Sequence, residues 1–188
     1  MFTDLVKKNR SYRRFDAAVP VKRETLESLV DLARHTASGG NLQPLKYKLV
    51  CDTEGCKAML PALRWAGYLT HWEGPTASEA PTGYIMVMRD NEITTNFIID
   101  HGIAAQTIML GAVEKGFGGC IIGTLDRQIL RTAFDIPARY EILLVLALGK
   151  PTEEVVIEEA EAGTIKYWRD DKDTHHVPKR PLSEVILD

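Results

Sequence analysis

Cysteine is scarce in this chain of 188 residues, which contains only Cys51, Cys56 and Cys120. An odd set of three is too sparse for a framework of disulfide bonds. Cys51 and Cys56 are close in sequence, but no second cysteine pair completes a zinc site. We interpret all three as reduced thiols with a structural role, and we predict no metal site.

The two adjacent histidines near the C-terminus, His175 and His176, are the other residues that suggest a metal. Neighbouring side chains point apart on an extended backbone, however, and no carboxylate at a suitable spacing completes a site. We interpret both histidines as surface residues of a charged tail.

An excess of positive charge and long apolar runs are also missing. The chain carries 23 Lys plus Arg against 26 Asp plus Glu, a formal charge of -3. This balance provides no general attraction for nucleic acid. No stretch reaches the roughly 18 apolar residues that a transmembrane helix needs. We therefore expect a soluble, cytoplasmic protein that binds neither nucleic acid nor membrane.

Length and apolar content predict one α/β domain over residues 1–188, because 45% hydrophobic residues suffice for one substantial core. Apolar residues recur with helical spacing from Leu26 to Ala33, and the helix should extend to about His35. The run 84–88 reads as a buried strand, and the more apolar run 141–148 as a strand in a sheet covered on both faces, closed by Pro151. Further helices are predicted over 3–9, 53–60 with Thr53 as the cap, 97–115 and 126–134, and further strands over 47–51 and near Cys120.

Two features predict contact with a second subunit, and a third segment has two possible roles. The helix over 97–115 is apolar nearly all round, which predicts a subunit interface. The tail from about 153 is charged and ends in the apolar triplet 185–187, which needs a docking place on a second subunit. The aromatic segment 61–83 contains Trp65, Tyr68 and Trp72, which could either form a lid over an aromatic substrate or pack against the sheet.

Candidate ligand-binding groups occur in three places. Arg10, Ser11 and Arg13 follow the first helix and suit an anionic ligand, although charged runs often only face water. The turn 37–44 offers small residues and an amide that can approach a planar ring, or it is an ordinary loop. The end of an apolar strand at Ile122 and Gly123 could present backbone N–H groups. Their combination suits a flat anion such as flavin mononucleotide (FMN).

Five segments together resemble the nitroreductase superfamily in order and spacing, over nearly the whole chain from about 5 to 182. Residues 9–15 resemble its Arg-Ser-x-Arg-x-Phe entry motif, and 37–44 its Pro-Ser-Gly-x-Asn-x-Gln-Pro-Trp turn. The others are its central helix, flavin-edge strand and following strand, at 100–106, 118–123 and 146–151. Asn9, Ala37 and Leu45 depart from the family pattern.

This resemblance implies a three-layer α-β-α sandwich and an obligate homodimer. The partner subunit's C-terminal segment would extend a mixed central sheet, and two FMN molecules would lie at the interface. Arg10, Ser11 and Arg13 would hold the phosphate, the ribityl chain and the N1/O2 edge, and residues from the other subunit would complete the site. The full implied set is Arg10, Ser11, Arg13, Ala37, Ser38, Gly39, Asn41, Ile122, Gly123, Lys179 and Arg180.

The resemblance also implies a function. NADH or NADPH would reduce FMN at N5, and the electrons would pass by a ping-pong mechanism to a nitroaromatic, quinone or related small acceptor. No side chain would act as an obligatory acid or base. Since no Gly-x-Gly-x-x-Gly fingerprint follows a strand, the nicotinamide should bind transiently over the flavin. Three alternatives stay open: reductive dehalogenation, oxygen-dependent flavin cleavage, and a noncatalytic flavin-binding regulatory dimer.

Overall fold

The computed structural model describes residues 1–96, 99–161 and 163–187. Its helices are α1 (Phe2–Lys8), α2 (Arg23–Arg34), α3 (Thr53–Met59), α4 (Asp100–Glu114), α5 (Arg127–Ala133) and α6 (Leu182–Val185), with short 3-10 turns at Gly39–Asn41 and Leu60–Ala62. Its strands are β1 (Phe15–Asp16), β2 (Leu45–Val50), β3 (Gly83–Asp90), β4 (Gly118–Ile122), β5 (Tyr140–Pro151), β6 (Val155–Glu159), β7 (Trp168–Arg169) and β8 (His175–Lys179). Within the described residues, no helix is long and apolar enough to cross a bilayer.

Strand β5 is the centre of the main sheet. It pairs in antiparallel fashion with β3, β4 and β1, and β2 pairs with the outer edge of β3. Strand β5 has a bulge at Leu143. Val87 of β3 pairs with Leu144 and Met88 pairs with Ile142, so that Leu143 is the extra residue between them. An extra residue reverses the alternation of side chains on the bulged strand. Ile142 therefore packs on the opposite face from Leu144.

The sheet is covered by helices on both faces. Ile85 and Val87 point to one face, into a core shared with α2 and α4. Tyr84 and Met86 point to the other face, into a second core with α3 and α5. The predicted three-layer α-β-α arrangement is confirmed, and the buried, nearly continuous apolar sequence of β5 follows from having a helical layer on each side.

Most predicted elements are confirmed, with two corrections. Asp52 rather than Thr53 caps α3, because its carboxylate accepts a hydrogen bond from the Gly55 N–H at 2.7 Å. Strand β5 does not stop before Pro151, since β1 pairs with its last two residues. Of the predicted helix over 97–115, residues 97 and 98 lie outside the described part of the chain.

The C-terminal segment forms a small sheet that the sequence did not indicate. Strand β6 runs parallel to β8, which pairs on its other side with β7. The apolar triplet that ends this segment is largely exposed in the described part of the chain, at 58% for Val185, 54% for Ile186 and 94% for Leu187. Its docking on a second subunit, like the extension of the central sheet by that subunit, stays a prediction.

Tyr84 offers a test of the second core. Its side chain is fully buried and its hydroxyl has no hydrogen-bond partner among the described residues, so burial raises the pKa of the phenol. An unsatisfied buried polar group costs roughly 1–3 kcal/mol. We expect Tyr84→Phe to raise the free energy of unfolding by about 1 kcal/mol in urea denaturation.

Tyr12→Phe is the matched control, because it removes the same atom from a hydroxyl that donates to the Lys8 carbonyl at 3.1 Å. That variant should show no gain in stability. A loss of stability in Tyr84→Phe would show that the hydroxyl does have a partner.

Candidate functional site

A cavity of about 320 Å³ lies where the segment after α1 meets α4, β4 and β8. Three of its lining residues are cations, Arg10, Arg13 and Lys179, and none of the described residues that line it is acidic. The other polar residues of its lining are Asn9, Ser11, Gln106, Tyr167 and His175. A cavity with this lining attracts an anion.

Backbone pairing holds the arginine segment against β4. Ser11 forms a bridge with Gly119, and the Tyr12 N–H donates to the Gly119 carbonyl at 2.9 Å. The Arg10 guanidinium donates to the Val6 carbonyl at 2.8 Å, and its buried Nε has no partner among the described residues. Arg10 is therefore anchored at one end and retains an unused donor.

A buried carboxylate joins this segment to the C-terminal part of the chain. Glu153, whose side chain is 1% exposed, accepts hydrogen bonds from the N–H groups of Arg13 and Arg14. It also pairs with the Arg169 guanidinium at 2.8 Å. Three donors thus neutralise and satisfy one buried acid, which fixes the backbone at Arg13.

A second cavity, of about 170 Å³, adjoins the first along the end of β4. It is lined by Arg13, Ile122 and Gly123 together with part of the aromatic segment, including Trp65 and Gly67. Tyr167 lines both cavities. Of the sequence-predicted residues, the structure therefore groups Arg10, Ser11, Arg13 and Lys179 in one cavity, and Arg13 with Ile122 and Gly123 in the next.

The turn Ser38–Asn41 lies elsewhere. Ala37 and Ser38 line a third cavity, of about 160 Å³, with the buried Asp100 at the start of α4. Asp100 accepts from the Ser38 hydroxyl at 2.5 Å and from the Gly39 N–H at 3.2 Å. Gly40 and Asn41 follow in left-handed conformations, with φ of 56° and 55°, and the Asn41 side chain is exposed.

These bonds to Asp100 decide which groups of the turn are free. The Ser38 hydroxyl also accepts from the Gln43 N–H at 2.9 Å, so its single proton and a lone pair are both used inside the chain. The exposed amide of Asn41 and the backbone around Ala37 are the groups that remain for a ligand. Burial, and then the Asp100 carboxylate, raise the pKa of nearby Tyr47 to about 12.

Arg180, like Gly39 and Asn41, lines none of these three cavities. Its guanidinium pairs with Glu184 in α6 at 2.8 Å. Lys179, next to it on β8, lines the first cavity. Alternation along an extended strand explains why neighbouring cations point in different directions.

The prediction for His175 is wrong, because this residue is buried and only 1% exposed. His176 instead contacts Glu158, at 3.0 Å, and stacks on Trp168. The extended backbone that we assumed for these residues already indicated that one histidine is buried, because adjacent residues of a strand face opposite sides. Sequence reasoning also missed Glu153 and Tyr167.

The aromatic segment packs on the C-terminal sheet rather than standing free. The Trp72 ring lies 4.6 Å from the Arg169 guanidinium carbon and 6.0 Å from that of Arg14. Tyr68 contacts Tyr167, with ring centres 4.9 Å apart. These contacts favour the packing alternative for Trp72 and Tyr68, whereas Trp65 lines the second cavity.

Fold and cavity together describe an α/β protein with a cation-lined cavity at the edge of its central sheet. The chain belongs to the nitroreductase family, whose model matches residues 6–150. Among relatives, the Bacillus subtilis protein YodC, provisionally named an NAD(P)H nitroreductase, is 24% identical over 177 residues, which cover 78% of this chain and 88% of YodC.

Solved structures show the same fold. A nitroreductase family protein from Clostridium difficile superposes with a TM-score of 0.70 at 22% identity, covering 100% of this chain and 97% of that one. A provisionally named nitroreductase from Exiguobacterium sibiricum, crystallised in complex with FMN, superposes with a TM-score of 0.65 at 20% identity, covering 81% and 89%.

The buried histidine predicts a pH dependence of stability. Burial lowers the pKa of His175 to about 4, and the charges of Arg13, Arg169 and His176 contribute. The unfolded chain takes up a proton near pH 6.5, whereas the folded chain does so only near pH 4. The free energy of unfolding that neutral His175 contributes is therefore fully present above pH 6.5 and is lost as the pH falls towards 4.

Between pH 7.5 and pH 5 the wild type should lose about 2 kcal/mol of unfolding free energy beyond the loss shown by His175→Gln. Urea denaturation at the two pH values measures this difference, and all other titrating groups are common to both proteins. Equal losses in the two proteins would contradict the assignment of a neutral, buried His175.

Proposed function

We propose that this protein is an FMN-dependent NAD(P)H oxidoreductase that passes electrons by a ping-pong mechanism to nitroaromatic, quinone or related small acceptors. The observation that carries the proposal is the first cavity, where Arg10, Arg13 and Lys179 converge beside the end of β4. Membership of the nitroreductase family and the FMN complex of the relative from Exiguobacterium sibiricum support it.

The residues present fit FMN on the evidence of an unused donor. The buried Arg10 Nε lacks a partner among the described residues, and Arg10 lines the cationic cavity. A ligand with several acceptor oxygens satisfies such a donor. Arg10 and Lys179 would hold the phosphate, Ser11 the ribityl chain and Arg13 the N1/O2 edge, while Ile122 and Gly123 would meet N5 and O4.

A second copy of the chain would supply the rest of the site. Ala37, Ser38, Gly39 and Asn41 would come from the partner subunit, which agrees with the position of Ala37 and Ser38 on a different cavity from the arginine segment. Apolar side chains also stay uncovered on α1, α6 and the start of α4, including Phe2 at 70%, Leu182 at 70% and Ile99 at 66% exposure. A homodimer would bury such surface.

The chemistry would belong to the cofactor. FMN, when bound, accepts hydride from a reduced nicotinamide and delivers electrons to an acceptor. The protein's own thiols are unsuited to this role, because burial raises the pKa of Cys120 and raises that of Cys56 to about 11. Both thiols stay protonated at neutral pH, whereas Arg13 stays cationic and would favour negative charge at the nearby ring edge.

The central test is reduction of bound flavin. We expect the purified protein to be yellow and its visible flavin absorption to bleach when NADH or NADPH is mixed with it in a stopped-flow instrument. Adding a nitroaromatic or quinone should then restore the colour. Persistent absorption with both nicotinamides would instead indicate a noncatalytic flavin-binding dimer.

A complementation experiment tests the shared site. Arg10→Ala combined with Lys179→Ala damages the cationic half, and Ala37→Trp blocks the turn at an exposed position. Each homodimer should lose FMN, because every site contains one damaged half. The heterodimer, co-expressed and purified by two different tags, has one undamaged site and should bind about one FMN per dimer against about two for the wild type.

A site built within one chain predicts a different result. Every chain of the heterodimer carries one of the two lesions, so no chain alone has an undamaged site. A heterodimer that binds no FMN would therefore refute the two-subunit arrangement while leaving flavin binding itself in place.

A further inference from the structure

The Arg13 guanidinium is held mainly by the C-terminal segment of its own chain. Its Nη1 donates to the Ser11 carbonyl at 3.1 Å and to His175 Nε2 at 3.1 Å. The Tyr167 ring covers one face of the guanidinium, with its centre 4.9 Å from Arg13 Cζ. Two of these three contacts come from residues beyond 150, where the family match ends.

The contact with His175 determines its protonation. A guanidinium has only donors, so Nε2 must accept and the single proton of the neutral ring must lie on Nδ1. Besides burial, the positive charges of Arg13, Arg169 and the adjacent His176 lower the pKa of His175. Tyr167 packs beside the ring, with centres 5.3 Å apart. This surrounding favours the neutral form, which is the form that can accept from Arg13.

The local contact with Ser11 cannot orient Arg13 by itself. Ser11 lies two residues away on the same segment, and a single carbonyl acceptor leaves the guanidinium free to rotate about that bond. A second acceptor on a different element, together with an aromatic face, removes this freedom. His175 lies on β8, which is fixed by pairing with both β6 and β7.

We propose that His175 is a positioning residue, whose neutral Nε2 holds the Arg13 guanidinium at the edge of the FMN site. This inference rests on the proposed function. It assigns part of the cofactor site to a side chain that touches Arg13 rather than the reacting atoms. It also gives the small C-terminal sheet a role in setting the properties of the bound flavin.

Three variants of the full-length apoprotein test the proposal by titration with FMN. His175→Leu keeps the volume but removes the acceptor, and should weaken FMN binding about tenfold, the effect of losing one charge-assisted hydrogen bond. His175→Gln places an amide oxygen near the former Nε2 and should bind within about twofold of the wild type. His176→Gln changes the neighbouring histidine, which contacts Glu158 instead, and is the matched control.

The second readout is the midpoint potential of bound FMN, measured at saturating FMN. Displacement of Arg13 should lower the potential in His175→Leu and leave it unchanged in His175→Gln and His176→Gln. A merely structural role for His175 would change the melting temperature without this pattern. Equal affinity and potential in folded His175→Leu and wild type, or a Gln variant as impaired as Leu, would overturn the proposal.

Should His175→Leu fail to fold, Tyr167→Leu replaces it, since this side chain is half-buried and covers the same guanidinium. The proposal then requires near-normal affinity in His175→Gln and about threefold weaker binding in Tyr167→Leu, as expected for loss of one cation–π contact. Any other pair of results overturns it. Failure of the wild type to bind FMN would refute the proposed function itself, which distinguishes the two claims.

Discussion

The buried Glu153 carboxylate is the contact on which the architecture of the site depends. It joins residues 13 and 14, near one end of the chain, to Arg169, near the other. A buried charge is tolerated only when its partners are in place, and removal of one partner from such a pair costs about 3–5 kcal/mol. The arginine segment and the C-terminal sheet are therefore held together as one unit before any ligand binds.

This unit also explains the behaviour of the aromatic segment. Arg169 uses one nitrogen for Glu153 and presents its face to Trp72, while Arg14 approaches the same ring from further away. Trp72 is thus part of the packing that buries the charged pair. A free lid would require this contact to break and the arginines to become exposed to water, so the segment is better described as a wall of the second cavity.

The sequence predicted the parts of the fold that have a strong repeating pattern. The apolar runs of β3 and β5 and the helical spacing of α2 follow directly from burial against two layers. The small C-terminal sheet was missed because its parallel pairing joins residues 155–159 to 175–179 with no continuous apolar run between them. Alternation along a strand indicates that one of His175 and His176 is buried, but which of the two is buried depends on that pairing.

The site was predictable to a similar extent. Arg10, Ser11 and Arg13 form a motif within four residues, so their convergence on one cavity needs only a local turn. Lys179 reaches the same cavity through β8, and only the resemblance to a family indicated Lys179 as a site residue. Asp100 shows what spacing alone cannot supply, because its bonds to Ser38 and Gly39 occupy groups that the motif suggests are free for a ligand.

The distribution of charge gives the site its chemical character. Three cations line the first cavity, and the acid that contacts the arginine segment, Glu153, is fully occupied by the backbone of Arg13 and Arg14 and by Arg169. The positive charge of Arg10 and Lys179 is thus left for a ligand, while Arg13 is oriented by a neutral histidine that adds no charge of its own. An arrangement with fixed cations and protonated thiols offers stabilisation of negative charge rather than a nucleophile. That is the contribution a protein makes when a bound cofactor carries the electrons.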